Sequence, residues 1–149
     1  MKVKLIDIVD ALEMQMDESR HYLNKNTGEI SFITDEDLEI AERNDEEEIL
    51  DLPDWQKDNV DEAAKILDSE DYLVLPNKQE IRDYDIMRDF ALFTNSDQLM
   101  NAIQGSGAFR YFKDMIHQLG WKDQWFEFKA NAYLEKARKW CEDQAISYD

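Results

Sequence analysis

The chain has 149 residues, 43% of them hydrophobic, with 17 Lys+Arg against 35 Asp+Glu and a net charge of −18. A chain of this length buries roughly 70% of its unfolded surface, so a core can form without metal or disulfide support, and the apolar content excludes a disordered polymer. One cysteine, Cys141, excludes an intrachain disulfide, and the acidity opposes direct contact with nucleic acid or anionic membrane.

The charge is unevenly placed. Residues 101–149 hold 7 bases and 7 acids, so the whole imbalance falls in residues 1–100. Segment 35–71 alone has 17 acids and 3 bases, which suits either a solvated face or a surface for a basic partner. The opening "MKVKLIDIVDALEMQ" has short apolar runs broken by Asp7 and Asp10, unlike a signal peptide. No run approaches the roughly 20 apolar residues of a membrane span. A reducing, cytoplasmic location is therefore expected.

Leu5, Ile8, Val9 and Leu12 recur at helical spacing and predict a helix over 5–14. Two β-prone runs, 22–23 and 30–33, flank "NKNTG", whose Asn and Gly tolerate a tight turn, so a β-hairpin is expected. Thr34 is placed to cap a helix running through "DEDLEIAERNDEEE", with acids in its first turn. Pro53 suits the start of the next helix, whose stripe is Trp55, Val60, Ala63, Ala64 and Leu67. "YLVLP" at 72–76 reads as a third strand. Asn77 and Glu80 have capping-box spacing before a helix carrying Ile81, Tyr84, Met87, Phe90 and Ala91. "TNSD" at 94–97 ends that helix and caps a short one through Ile103. Asp123 is expected to cap a final helix to about Glu142, its inner face drawn from Trp125, Phe128, Ala132 and Tyr133. The sum is a single α+β domain over 1–149, mainly helical, with a small antiparallel sheet formed by the hairpin and a short strand near 72–75.

The stretch "GSGAFRYFKDMIHQLGWKDQWFEFK" (105–129) holds three of the four glycines and seven of the seventeen aromatic residues. It lacks the third glycine and the preceding strand of a dinucleotide fingerprint, and no Gly-Lys-Ser/Thr follows. Two readings fit it. In one, Gly105 ends a helix in the left-handed region, Ser106 caps the next, and Gly107 and Ala108 let two helices approach. In the other, the amides of Gly107 and Ala108 with Arg110, assisted by Lys113 and His117, hold a phosphate or carboxylate at a helix start. Phe109, Phe112 and Ile116, with Met115 and Leu119 beside them, read as a core stripe. Arg110, Lys113, Asp114 and His117 fall on the opposite face, with Arg110 and Asp114 at ion-pair spacing.

No catalytic constellation emerges. Cys141 lies near a helix end beside Glu142 and Asp143, which disfavours a thiolate. Asp85 and Asp89 have Arg82 and Arg88 nearby to neutralise them. "NKNTGE" departs from the calcium-loop pattern, and zinc spacing and the nucleophile elbow are missing. No metal and no cofactor are expected.

"YLNKNTGEI", "LPDWQ", "LP" before Asn77, "GSGAFRYFKDMIHQLG", a following "W" and the "WCE" ending together resemble a bacterial family designated uncharacterised protein family 0158, along essentially the whole chain. The resemblance implies a small bacterial cytosolic protein and brings no activity with it. It marks Gly105, Gly107, Phe109, Arg110, Phe112, Lys113 and His117 as family-typical, whereas "RHY" at 20–22 is not, so no site is expected on His21. The functional expectation is a non-catalytic acidic regulatory or interaction module whose partner is another protein, a basic one suiting the acidic surface. The alternative is a protein or enzyme that binds a phosphorylated ligand or nucleotide at 105–110, and the third reading is a nucleic-acid mimic built on the 35–71 acids.

Overall fold

A computed structural model describes residues 2–149. The fold is mainly helical α+β with one small antiparallel sheet. The sequence reading takes 1–149 as one domain; in the structure the chain sorts into two compact units, 1–77 with 140–149, and 78–139.

In the first unit, α1 (Leu5–Glu13) buries Leu5, Ile8, Val9, Ala11 and Leu12, the stripe its spacing demands. Strands β1 (Ser19–Asn24) and β2 (Ile30–Thr34) form the hairpin, and β3 (Tyr72–Val74) pairs antiparallel on the other side of β1, giving the order β2-β1-β3. Asn24 organises the turn: its Oδ1 accepts from the amides of Asn26 at 2.9 Å and Thr27 at 3.3 Å, and its carbonyl accepts from Gly28 at 2.7 Å. This is the Asx-type local bonding that makes asparagine a turn former. The chain termini meet through a parallel bridge between Val3 and Tyr148.

Thr34 caps α2 (Asp35–Arg43), its Oγ1 accepting from the Asp37 amide at 3.2 Å. The helix does not continue through the acidic run. Asn44 turns left-handed at φ 49°, and Asp45 caps a separate helix, α3 (Glu46–Leu50), accepting from the amides of Glu47 and Glu48. Three glutamates in that first turn sit where the helix dipole favours negative charge, which the C-terminal turn of a continuous helix would not. The next helix, α4 (Asp54–Asp68), buries Val60, Ala63 and Ile66. Trp55 and Leu67 point outward, so the inner stripe is rotated from the expected one. Ile33, Ala63 and Ile66 form a small core with Tyr22, Leu38, Ala41 and Tyr72 packed around it.

The second unit starts with a break. The helix expected from Asn77 divides into α5 (Lys78–Ile81) and α6 (Asp83–Phe93), because Arg82 takes φ 60° between them. Asn95, also left-handed, ends α6 with the paired bonds of a Schellman motif: its amide donates to Leu92 and the Ser96 amide to Ala91. Ser96 then caps α7 (Asp97–Ala102), its Oγ accepting from the Leu99 amide at 3.1 Å. Helices α8 (Ala108–Leu119) and α9 (Lys122–Asp143) follow, the residues of α9 from Trp140 on belonging to the first unit.

The core of the second unit centres on Phe90, which is fully buried. Its ring meets Phe112, Trp121, Trp125 and Phe128 edge-on, at centroid distances of 6.4, 6.4, 5.4 and 5.2 Å. Such tilted contacts suit the ring quadrupoles and add about 0.5–1.5 kcal/mol each beyond burial.

Candidate functional site

Helix α8 has a strongly one-sided distribution of apolar residues. Phe112 and Ile116 are buried, while Phe109 is 60% exposed, which corrects its expected core place. The glycines also act differently from expectation. Gly105 is not left-handed, and Ser106 does not cap α8. Gly107 takes φ 79° in the position before Ala108, and no side chain caps the helix there. A Cβ on Gly107 would lie 3.1 Å from the ring of Tyr111, one turn along the same helix, so its small size relieves a local contact rather than a helix crossing. At the other end Gly120, at φ 70°, and Trp121 close a second Schellman motif, donating to His117 and Ile116. The chain reverses there and α9 starts at Lys122, so Asp123 lies inside the first turn instead of capping it.

That reversal makes a groove of about 680 Å³ along α8, the start of α9 and the start of α6. Phe112, Ile116, Trp125 and Met87 supply its apolar floor, with Phe109 and Phe126 on its walls. Trp125 is held edge-on to Phe112 at 4.8 Å between centroids, so the floor is rigid. Lys113 and His117 from α8 face Lys122 and Lys129 from α9 across it. Lys122 Nζ sits 5.8 Å from the Phe126 ring and Lys129 Nζ 5.5 Å from the Tyr133 ring.

Of the five residues expected at an anion site, the groove takes two, Lys113 and His117. Gly107, Ala108 and Arg110 lie outside its lining. Arg110 is exposed and its guanidinium stacks on Tyr111, 4.9 Å from the ring centroid, instead of pairing with Asp114. Lys122 and Lys129 stand out in the sequence as bases of the 105–129 stretch, but neither they nor Phe126 are among the residues expected at the anion site. Their signal was available as basic and aromatic residues repeating along the first turns of α9, but a single helix read alone gives no facing wall.

Two carboxylates also line the groove, Asp83 and Asp114. Asp83 is engaged by a hydrogen bond from the buried Tyr133 hydroxyl. None of Lys113, Lys122 and Lys129 has a carboxylate within ion-pair distance among the described residues. Elsewhere Arg20, Arg43, Lys57 and Lys65 each reach an acid, and in α6 of the same unit Arg82 and Arg88 both contact Asp85, whereas Lys4, Lys25, Lys78 and Lys136 have no carboxylate at ion-pair distance among the described residues.

A second cleft, of about 540 Å³, lies in the first unit. Its apolar spot is Met16 and Phe32, 66% and 46% exposed. Asp17, Glu18, Asp35, Glu36 and Glu39 surround them. Arg20 pairs with Asp35 at 3.8 Å, and the other four acids have no base at ion-pair distance among the described residues.

His21 and Cys141 are both buried. His21 lies on the central strand with Nδ1 lacking a hydrogen-bond partner, and burial lowers its pKa below the ordinary 6.5. The Cys141 thiol is pushed up by burial and by the charge of Glu142 beside it. Among the described residues no group of three or more His, Cys, Asp or Glu is placed to hold a metal ion, and no helix is long and apolar enough to cross a membrane.

No protein-family model matches this chain, and neither does any curated protein or solved structure.

Proposed function

We propose that the protein is a cytoplasmic, non-catalytic interaction module, of the bacterial family its motifs resemble, that uses its acidic first unit to hold a basic segment of another protein. The observation that carries this reading is the cleft around Met16 and Phe32. An exposed apolar pair ringed by five acids offers a basic segment both burial for a hydrophobic side chain and charge complementarity at the rim. The charge of the unit as a whole adds to it. Segment 35–71 holds 17 of the chain's 35 acids, and its field steers a cationic partner while repelling polyanions.

The test is capture of a Lys- and Arg-rich peptide carrying one leucine, compared with the same peptide scrambled in charge. Binding is expected at low salt and should weaken at high salt. Asp17→Asn, Glu36→Gln and Glu39→Gln together should abolish it. Equal binding by the neutralised variant, or no salt dependence, would remove the reading.

A further inference from the structure

We propose that the groove between α8 and α9 in the second unit binds a small phosphate-bearing ligand with a flat aromatic body, of the mononucleotide class. Size, lining and unspent charge support this independently. A groove of about 680 Å³ falls in the range of roughly 300–1,000 Å³ that accommodates small ligands, and its apolar floor with a few convergent polar groups is the usual composition of such sites.

The floor and walls select the body of the ligand. Trp125 and Phe112 are fixed against each other, and Phe109 and Phe126 are exposed at 60% and 54%. Exposed rings beside an apolar floor lose little on meeting a planar heterocycle and gain stacking on its face. An aliphatic chain would fill the same volume without using the ring faces.

The cations select the charged end. This chain has more than two acids for each base, yet three lysines, Lys113, Lys122 and Lys129, border this one space without a carboxylate at ion-pair distance among the described residues. Lys4, Lys25, Lys78 and Lys136 lack one as well, so it is the gathering of the three around one groove that marks the site. Lys122 and Lys129 rest against aromatic rings instead, which keeps their ammonium groups available. His117, four residues beyond Lys113 on the same helix face, adds a ring nitrogen beside them. Three ammonium groups around one groove match a ligand with several negative charges better than a single carboxylate. Asp83 and Asp114 also line the groove, so its three lysines face two carboxylates and still leave a cationic excess. The overall charge of −18 does not prevent this, because the Debye length is about 8 Å at physiological salt and the nearest charges dominate inside a groove.

The site differs from the helix start at Gly107 to Arg110, since neither residue lines the groove. It does not rest on the acidic cleft of the first unit either, and peptide capture there is measured separately.

The experiment is a titration of the full chain with ADP, GDP and UDP, followed by amide and indole shifts in 1H–15N spectra and by calorimetry. Adenosine and inorganic diphosphate serve as the body alone and the charge alone. At least one diphosphate nucleotide should bind at millimolar concentration or below, with shifts gathered at residues 113–118 and 122–129 and at the Trp125 indole. Adenosine and diphosphate should each bind at least about tenfold more weakly. Lys113→Gln, Lys122→Gln and Lys129→Gln together should also lower affinity at least about tenfold, whereas Lys25→Gln should not. Lys113 and Lys122 are exposed and Lys129 is half-buried, and the spectrum of the variant checks its fold directly. The proposal is overturned by no shift with any of the three nucleotides at millimolar concentration. It is equally overturned by shifts centred on Gly107, Ala108 and Arg110 without any on α9, by adenosine binding as tightly as ADP, or by a triple variant of unchanged affinity.

Discussion

The hydroxyl of Tyr133, in the middle of α9, donates a hydrogen bond to the carboxylate of Asp83, the first residue of α6. Tyr133 is buried, and Asp83 is half-buried at the edge of the groove. One bond therefore ties the entry of α6 to α9 at the edge of the groove. Tyr133→Phe should cost about 1 kcal/mol, the net worth of a typical hydrogen bond, because Asp83 can recover water. Urea unfolding measures it. The same variant should leave nucleotide affinity little changed, since Asp83 lines the groove and carries its charge in both proteins.

Phe90 and Phe109 are both phenylalanines on helices of the second unit, but their surroundings differ. Phe90 is fully buried among four aromatic rings and Phe109 is mostly exposed. Phe90→Ala should lose about 3–5 kcal/mol through burial and cavity terms. Phe109→Ala should stay within about 0.5 kcal/mol while lowering affinity for the nucleotide body. Similar stability losses at the two positions would contradict the orientation of α8.

Gly107 is constrained twice, by φ 79° and by the Tyr111 ring 3.1 Å from where a Cβ would sit. Gly107→Ala should cost about 1–2 kcal/mol from the left-handed backbone. Repeating the substitution in a Tyr111→Ala background separates the two causes. The backbone part persists there and the steric part disappears. Thermal melts of the four proteins give the cycle.

His21 predicts a pH dependence with a definite sign. Burial lowers its folded pKa below 6.5, so the unfolded chain takes up the proton first. As pH falls below about 6.5 the unfolded state holds more protons and stability declines, levelling off once the folded histidine also titrates. Its ring packs against Phe32 at 5.1 Å between centroids, so His21→Leu keeps much of the contact without the charge. Chemical denaturation between about pH 5 and 7 should show a shallower slope for His21→Leu than for the parent chain.

Local chemistry made much of the fold readable in advance. Asn24 bonds its own turn, Thr34 and Ser96 cap through their hydroxyls, and α1 carries its stripe at helical spacing; each needs only neighbours within four residues. The helix break at Arg82 was not readable, because a non-glycine residue enters the left-handed region only when its surroundings offset roughly 1–2 kcal/mol, and arginine gives no hint of it. The break at Asn44 did carry a signal, since asparagine visits that region readily and Asp45 follows as a cap. Phe109 misled because spacing shows that residues share a face without showing what that face meets. The groove was half legible for the same reason. Lys113 and His117 stood out on α8, but their partners Lys122 and Lys129 join them only after the Gly120 reversal turns α9 back.

Cys141 gives the molecule a practical property. The chain's single thiol is fully buried at the end of a long helix, with its ionisation suppressed by burial and by Glu142. Maleimide dyes and spin labels need an exposed thiolate, so the parent chain is a blank background for them. A cysteine introduced at Ser106 or Lys25 would become the sole reactive position, and a pair of them would report the separation of the two units in solution without removing the native residue.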